Sequence, residues 1–197
     1  MKKTLAEIES AFKESLEIPA IKSPKQLFFC PVGLVGAGKT TVTKPIAKRF
    51  GLIRLSSDEL RKMLKENGYD YSPVKEIGLR IATEYALKGY GIAFDMDCGN
   101  PEVKDYVEAA AKKLGAKAIF VHVDTPQEFI FEKFRKHPPS WLADDPQKMI
   151  ENYNSQKEKR AKEDTKFGFL YTFDTSRDDV AEQIEECVRK IERAFNT

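Results

Sequence analysis

The chain has 197 residues and a formal net charge of +2, from 33 Lys and Arg set against 31 Asp and Glu. That length fits one globular domain able to bury a substantial core, and the balanced charge excludes a global field that would recruit nucleic acid or a membrane surface, so partners must be recognised locally. Three cysteines, Cys30, Cys98 and Cys187, are odd in number and far apart, which argues against a disulfide framework or zinc site and for reduced core thiols in a cytoplasmic protein.

Leu5, Ile8, Phe12 and Leu16 recur at helical spacing, predicting an amphipathic helix over 4–17 that Pro19 and Pro24 end. Glu7, Glu9, Lys13 and Glu14 interrupt it, so neither a signal peptide nor a membrane span is expected. A helix this short is marginal alone and is expected to dock on the core. Residues 1–25 thus form an N-terminal helix and linker, and 26–197 the main domain.

From Gln26 onward, apolar runs alternate with helical patterns, the signature of a parallel sheet covered on both faces. Strands are expected at 27–32, 52–55, 91–95, 118–123 and 169–173, and helices at 41–50, 74–87, from Pro101 to the Gly115 stop, and 179–195. Thr125-Pro126 reads as a cap followed by proline at the first helical position. His122 lies inside a strand and reads as a core histidine. Residues 137–166 break the rhythm: His137-Pro138-Pro139-Ser140-Trp141 forms a rigid turn, and Asp145-Pro146 opens a polar helix reaching about Glu163. The mixed charges at 157–164 read by default as a solvated face; the sharper reading is a mobile lid.

Gly33-Leu34-Val35-Gly36-Ala37-Gly38-Lys39-Thr40 completes G-x-x-x-x-G-K-[ST] between a strand and a helix, the context that a polyphosphate-binding loop requires. The candidate cradle is Gly33, Val35, Gly36, Ala37, Gly38, Lys39, Thr40 and Thr41. Its backbone N–H groups and helix N-terminus attract phosphate, Lys39 reaches the outer phosphates, and the Thr40 hydroxyl can ligand Mg²⁺.

After the second strand stands Ser56-Ser57-Asp58-Glu59-Leu60-Arg61. Asp58 and Arg61 share a helix face, and the carboxyl ends of neighbouring parallel strands open on one crevice. An acid there can take or orient a hydroxyl proton, and an arginine can hold an anionic group or spread the charge of a moving phosphoryl group. Helix capping by Asp58 is the plainer alternative. Asp95, ending an apolar strand, is the candidate Mg²⁺ carboxylate; Asp97 either shares the ion or bonds the phosphate loop.

Together, the phosphate loop, the Ser-Ser-Asp-Glu-Leu-Arg segment, the Asp95-Met96-Asp97 strand end and the polar lid resemble P-loop kinases of the polynucleotide kinase and zeta-toxin group, within the AAA-type P-loop NTPases, over roughly residues 26–177. The resemblance implies a three-layer α/β fold with a five-stranded parallel sheet and a helical lid, ATP gripped with Mg²⁺ by Lys39 and Thr40, an acceptor hydroxyl activated by Asp58, and an acceptor bound by Arg61. A lid arginine touching the transferred phosphate is sought in Arg135 or Arg160, with Lys133, Lys136 and Lys159 behind them. It also implies transfer of the γ-phosphate to a polynucleotide 5′-hydroxyl, a nucleoside or nucleotide, or a small alcohol. The competing reading is an NTP-dependent switch acting through a protein partner, for which an exposed N-terminal arm would be the recruiting element. A nucleotide-binding protein without activity is the third.

Overall fold

The computed structural model describes residues 2–23, 25–136, 145–162 and 166–196. Helix α1 (Leu5–Glu14) opens with a reciprocal cap, in which Glu7 N–H donates to Thr4 Oγ1 at 3.3 Å and Thr4 N–H to Glu7 Oε2 at 2.7 Å. There follow β1 (Leu27–Val32), α2 (Lys39–Phe50), β2 (Ile53–Ser56), α3 (Ser57–Glu66), α4 (Val74–Leu87), β3 (Ile92–Asp95) and α5 (Pro101–Leu114). The remainder comprises β4 (Lys117–Val123), α6 (Gln127–Lys136), α7 (Pro146–Ala161), β5 (Tyr171–Phe173) and α8 (Val180–Asn196).

All five strands run parallel in the order β2-β3-β1-β4-β5. Strand β1 is central and wholly buried, as its unbroken apolar run requires. Side-chain alternation divides the core. Phe28, Cys30, Ile53, Leu55 and Phe94 face α1, α3, α4 and α5, while Leu27, Phe29, Ala93, Val121 and Phe173 face α2, α6, α7 and α8. The expected three-layer α/β architecture is therefore present. The connection from β1 runs toward β2 on one side and that from its neighbour β4 toward β5 on the other, so a crevice for ligands opens at their carboxyl ends.

Several boundaries differ from the sequence reading for local reasons. Helix α1 stops at Glu14, with Ser15 as its C-cap. Helix α2 begins at Lys39, inside the phosphate loop. Strand β2 extends to Ser56, whose hydroxyl accepts from Glu59 N–H at 3.3 Å and caps α3. Strand β5 starts only at Tyr171, because Phe167 and Phe169 are engaged in a ring stack that ends on His122, 4.9 Å from Phe169. Residues 137–144 and 163–165 of the expected lid, with the turn residues His137, Pro138, Pro139, Ser140 and Trp141, lie outside the described residues.

The three cysteines are buried free thiols, and burial, reinforced by the adjoining Cys30, raises the Cys98 thiol above its usual range. Among the described residues no helix is long and apolar enough to cross a membrane.

Helix α1 packs on the core through Ile8 and Phe12, each 1% exposed. Around that contact, Arg80 pairs with Glu9 at 2.6 Å and Lys13 with Glu84 at 2.6 Å. These exposed pairs fix orientation more than they stabilise; the buried rings supply the energy. Phe12→Ala is accordingly expected to lower the unfolding free energy by about 3–5 kcal/mol, whereas Leu5→Ala, at a site 39% exposed, should change it by about 0.5 kcal/mol or less. Urea unfolding followed by circular dichroism checks both values.

Candidate active site

The loop from Gly33 to Thr40 leaves β1 and enters α2 with no side-chain cap. Gly36 and Gly38 adopt φ values of 80° and 96°, which L side chains rarely tolerate. A Cβ on Gly36 would also stand 2.6 Å from the Phe134 ring, and one on Gly38 would meet Thr175. Behind the loop, Thr125 Oγ1 and Thr175 Oγ1 both donate to the Ala37 carbonyl at 2.8 Å. Thr125, expected as a helix cap, is thus committed to the loop instead, because its hydroxyl is buried against Ala37.

Lys39 Nζ donates to the Gly33 and Leu34 carbonyls at 2.8 and 2.9 Å. Burial holds its ammonium below the usual lysine range, against the opposing pull of Asp97 and Asp58. An incoming phosphate would replace two neutral carbonyls with a charged acceptor, a stronger partner for a desolvated ammonium.

The two carboxylates at the carboxyl end of β3 have separate partners. Asp95, 4% exposed, accepts from Thr40 Oγ1 at 2.9 Å and from Arg54 at 2.5 Å. Burial raises its pKa, while Thr40 and Arg54 stabilise the charged form. Arg54 reaches it diagonally across neighbouring strands, since Ser56 lies opposite Asp95 and Arg54 opposite Ala93. Its other nitrogen pairs with Glu59. Asp97 instead accepts from Gly33 N–H at 3.4 Å and Gly99 N–H at 3.0 Å, and pairs with Arg160. The bond to the phosphate loop that was one of the two expectations for Asp97 is thus present.

Asp58 is not the helix cap; Ser56 fills that position. Its carboxylate is free to receive Arg61 at 2.9 Å, with both side chains partly exposed. A cavity of about 490 Å³ brings this pair together with Val35, Gly36, Gly38, Lys39, Thr40 and Thr41. Asp95 and Asp97 also line it, as do Met149, Asn152 and Gln156 of α7. Helix α7 is anchored by buried Met149 and Tyr153, while Gln156 Oε1 accepts from Val35 N–H at 3.2 Å.

Of the expected lid cations, Arg160 reaches the site through Asp97, and Lys133 lines the cavity. Arg135 is exposed on α6, away from the cavity lining, and Lys136 pairs with Glu132 on the same helix. Arg54, Gln156 and Thr175 are the participants absent from the sequence reading. The signal for Arg54 was a lone cation at an inward position of a short strand; its partner emerges only once β2 and β3 are neighbours.

Among the described residues no group of three or more His, Cys, Asp or Glu is arranged to hold a metal by itself. The oxygen pair formed by Thr40 and Asp95 suits Mg²⁺, which binds through one or two protein oxygens and completes its shell with water and substrate phosphates.

A parallel sheet of this order, with a glycine-rich loop leaving the central strand and a lysine opening the next helix, defines a P-loop fold of the kinase type. The chain belongs to an AAA domain family, whose profile matches residues 29–164. No curated sequence matches it. Among solved structures, it resembles the Mycobacterium tuberculosis APS kinase CysC in complex with AMPPNP and APS, at 17% identity and a TM-score of 0.56, covering 87% of this chain and 99% of that one. A gluconokinase from Sinorhizobium meliloti 1021 is similar at 15% identity and a TM-score of 0.57, covering 88% and 95%. The PezAT chromosomal toxin-antitoxin system of Streptococcus pneumoniae contributes a third likeness, at 14% identity and a TM-score of 0.59, with both chains covered in full.

Replacing Arg54 tests the buried charge pair. Arg54→Met should cost about 3–5 kcal/mol, because it strands the Asp95 carboxylate in the interior. In an Asp95→Asn background the same replacement should cost distinctly less. Denaturant unfolding of the four proteins gives the coupling; equal costs in both backgrounds would mean that Arg54 acts by packing alone.

Proposed function

We propose that the protein is an ATP-dependent phosphotransferase that moves the γ-phosphate to a hydroxyl group of a small molecule. The observation carrying this reading is the shared cavity that Asp58 and Arg61 line together with Lys39 and Thr40. A nucleotide-binding site alone would need the loop but not an acid–arginine pair facing it.

Lys39 and the loop N–H groups would bind the outer phosphates of ATP and stabilise charge on the transferred group. Asp58, left free by the Ser56 cap, would accept the proton of the attacking hydroxyl, and Arg61 would hold the acceptor beside it. Helix α7 would exclude water through Gln156 and its neighbours, suppressing hydrolysis. Thr40 and Asp95 would hold Mg²⁺, which supplies charge neutralisation between phosphate oxygens.

A small acceptor is favoured by the adjoining hollow of about 380 Å³, which shares Ser57, Arg61 and Asp97 with the donor cavity. The APS kinase and gluconokinase likenesses point the same way. A switch recruiting a partner through its N-terminal arm is disfavoured by the burial of Ile8 and Phe12.

Asp58→Asn should lower phosphoryl transfer about a hundredfold or more while ATP binding is retained. Lys39→Ala should weaken ATP binding itself. Labelled γ-phosphate transfer to a panel of small alcohols, sugars and nucleosides, read beside calorimetric ATP titration, separates the two effects. Undiminished transfer by the Asp58 variant would remove the proposed base.

A further inference from the structure

The hollow beside the donor cavity differs in its charges from the phosphate site it adjoins. Lys133 lines the donor cavity only, and Arg61 lines both. Lys75 and Lys159 line the outer hollow only, one from the first turn of α4 and the other from the end of α7. Helix α4 adds its own potential, because its cap Pro73 makes no side-chain hydrogen bond and its opening residues Val74 and Lys75 form part of the wall.

The carboxylates present are placed so that these cations can be released. Asp58 pairs with Arg61 at 2.9 Å, with side-chain exposures of 53% and 37%. Glu102 pairs with Lys75 at exposures of 71% and 48%. Exposed pairs of this kind contribute little and exchange partners readily. The less exposed Arg160–Asp97 pair is tied to the phosphate loop through Gly33 N–H, so it remains a fixed wall. A neutral polyol would leave Lys75 and Lys159 sharing the single exposed carboxylate of Glu102, whereas an anionic ligand would supply a second negative partner.

We infer that the acceptor is an anionic hydroxy compound, a polyhydroxy carboxylate or a phosphorylated small alcohol, whose charged group is held by Lys75 and Lys159 while Arg61 positions the end carrying the reacting hydroxyl. This rests on the phosphotransferase reading and specifies its second substrate. The chemical balance is simple: the hydroxyl oxygen forms a bond to the γ-phosphorus, the bond from that phosphorus to the bridging oxygen breaks, ADP leaves, and Asp58 receives the hydroxyl proton. The anionic handle takes no part in bond making. It selects and aligns.

Matched acceptors test the inference with the full chain: gluconate against sorbitol, and glycerol 3-phosphate against glycerol, each with labelled ATP. At least one anionic member should exceed its neutral partner about tenfold or more in kcat/KM, and the better pair distinguishes a carboxylate handle from a phosphate one. Lys75→Gln combined with Lys159→Gln should raise KM for the favoured anion about tenfold with little effect on kcat, and the corresponding Arg replacements should restore it. Neutral acceptors that match or surpass the anions would overturn the inference.

Calorimetry of the same four compounds with AMPPNP bound keeps the two readings apart. Tighter binding of an anion that the Gln replacements abolish supports the charged handle even if none of the four is phosphorylated. Equal binding of charged and neutral members would refute it. Absence of transfer to any hydroxyl acceptor, with anion-selective binding intact, would count against the phosphotransferase reading instead.

Discussion

A loop that aims its N–H groups at a ligand can spend few of them on its own backbone, here the Ala37 N–H on the Leu34 carbonyl at 3.2 Å, so it must be held in shape from outside. Here that support comes from the ends of neighbouring strands. The Ala37 carbonyl is fastened by Thr125 beyond β4 and Thr175 beyond β5, while Asp97 beyond β3 takes the Gly33 N–H. The strand order gives these attachments their direction, because β1 has β3 on one side and β4 on the other. Phosphate binding therefore depends on the whole sheet rather than on the eight-residue motif alone.

Charge follows the same geometry. Asp95 is nearly removed from water, and a carboxylate there would resist ionisation without compensation. Arg54 and Thr40 supply it from opposite sides, one from the neighbouring strand and one from the helix that follows the phosphate loop. Asp58 stands in more water and pairs with Arg61. The chain thus keeps one acid fixed and another exchangeable within a single cavity. On the proposed reading, those are the contrasting properties wanted of a carboxylate that braces a metal site and of one that meets a reacting hydroxyl.

Much of this plan was legible before folding was considered. The alternating apolar runs established a parallel α/β sheet, and the intact glycine-lysine spacing located the phosphate loop, because both signals are local and have few alternatives. That Asp58 and Arg61 share a cavity with the loop was expected from helix spacing plus the rule that strand ends converge. Arg54 escaped because its meaning lies in a diagonal pairing with β3, which period-two alternation cannot reveal without strand order. Thr175 escaped because a hydroxyl after a three-residue strand has no pattern of its own. Ser56 illustrates the opposite limit: whether the cap of α3 falls on Ser56 or two residues later on Asp58 decides whether that carboxylate is free, and both residue types suit a cap.

The resting site is closed upon itself. Lys39 rests on loop carbonyls, Arg61 on Asp58, Arg160 on Asp97, and Gln156 on Val35. Each of these four groups has a partner, which limits the cost of holding it in position before substrate arrives. The partners differ in how firmly they hold. Neutral carbonyls and exposed ion pairs yield readily to phosphate or an anionic acceptor, whereas the Arg54–Asp95 pair is too buried to open cheaply. Ligands can therefore displace the contacts nearest the reacting atoms without disturbing the charge pair beneath them, so substrate exchange and structural integrity rest on different interactions.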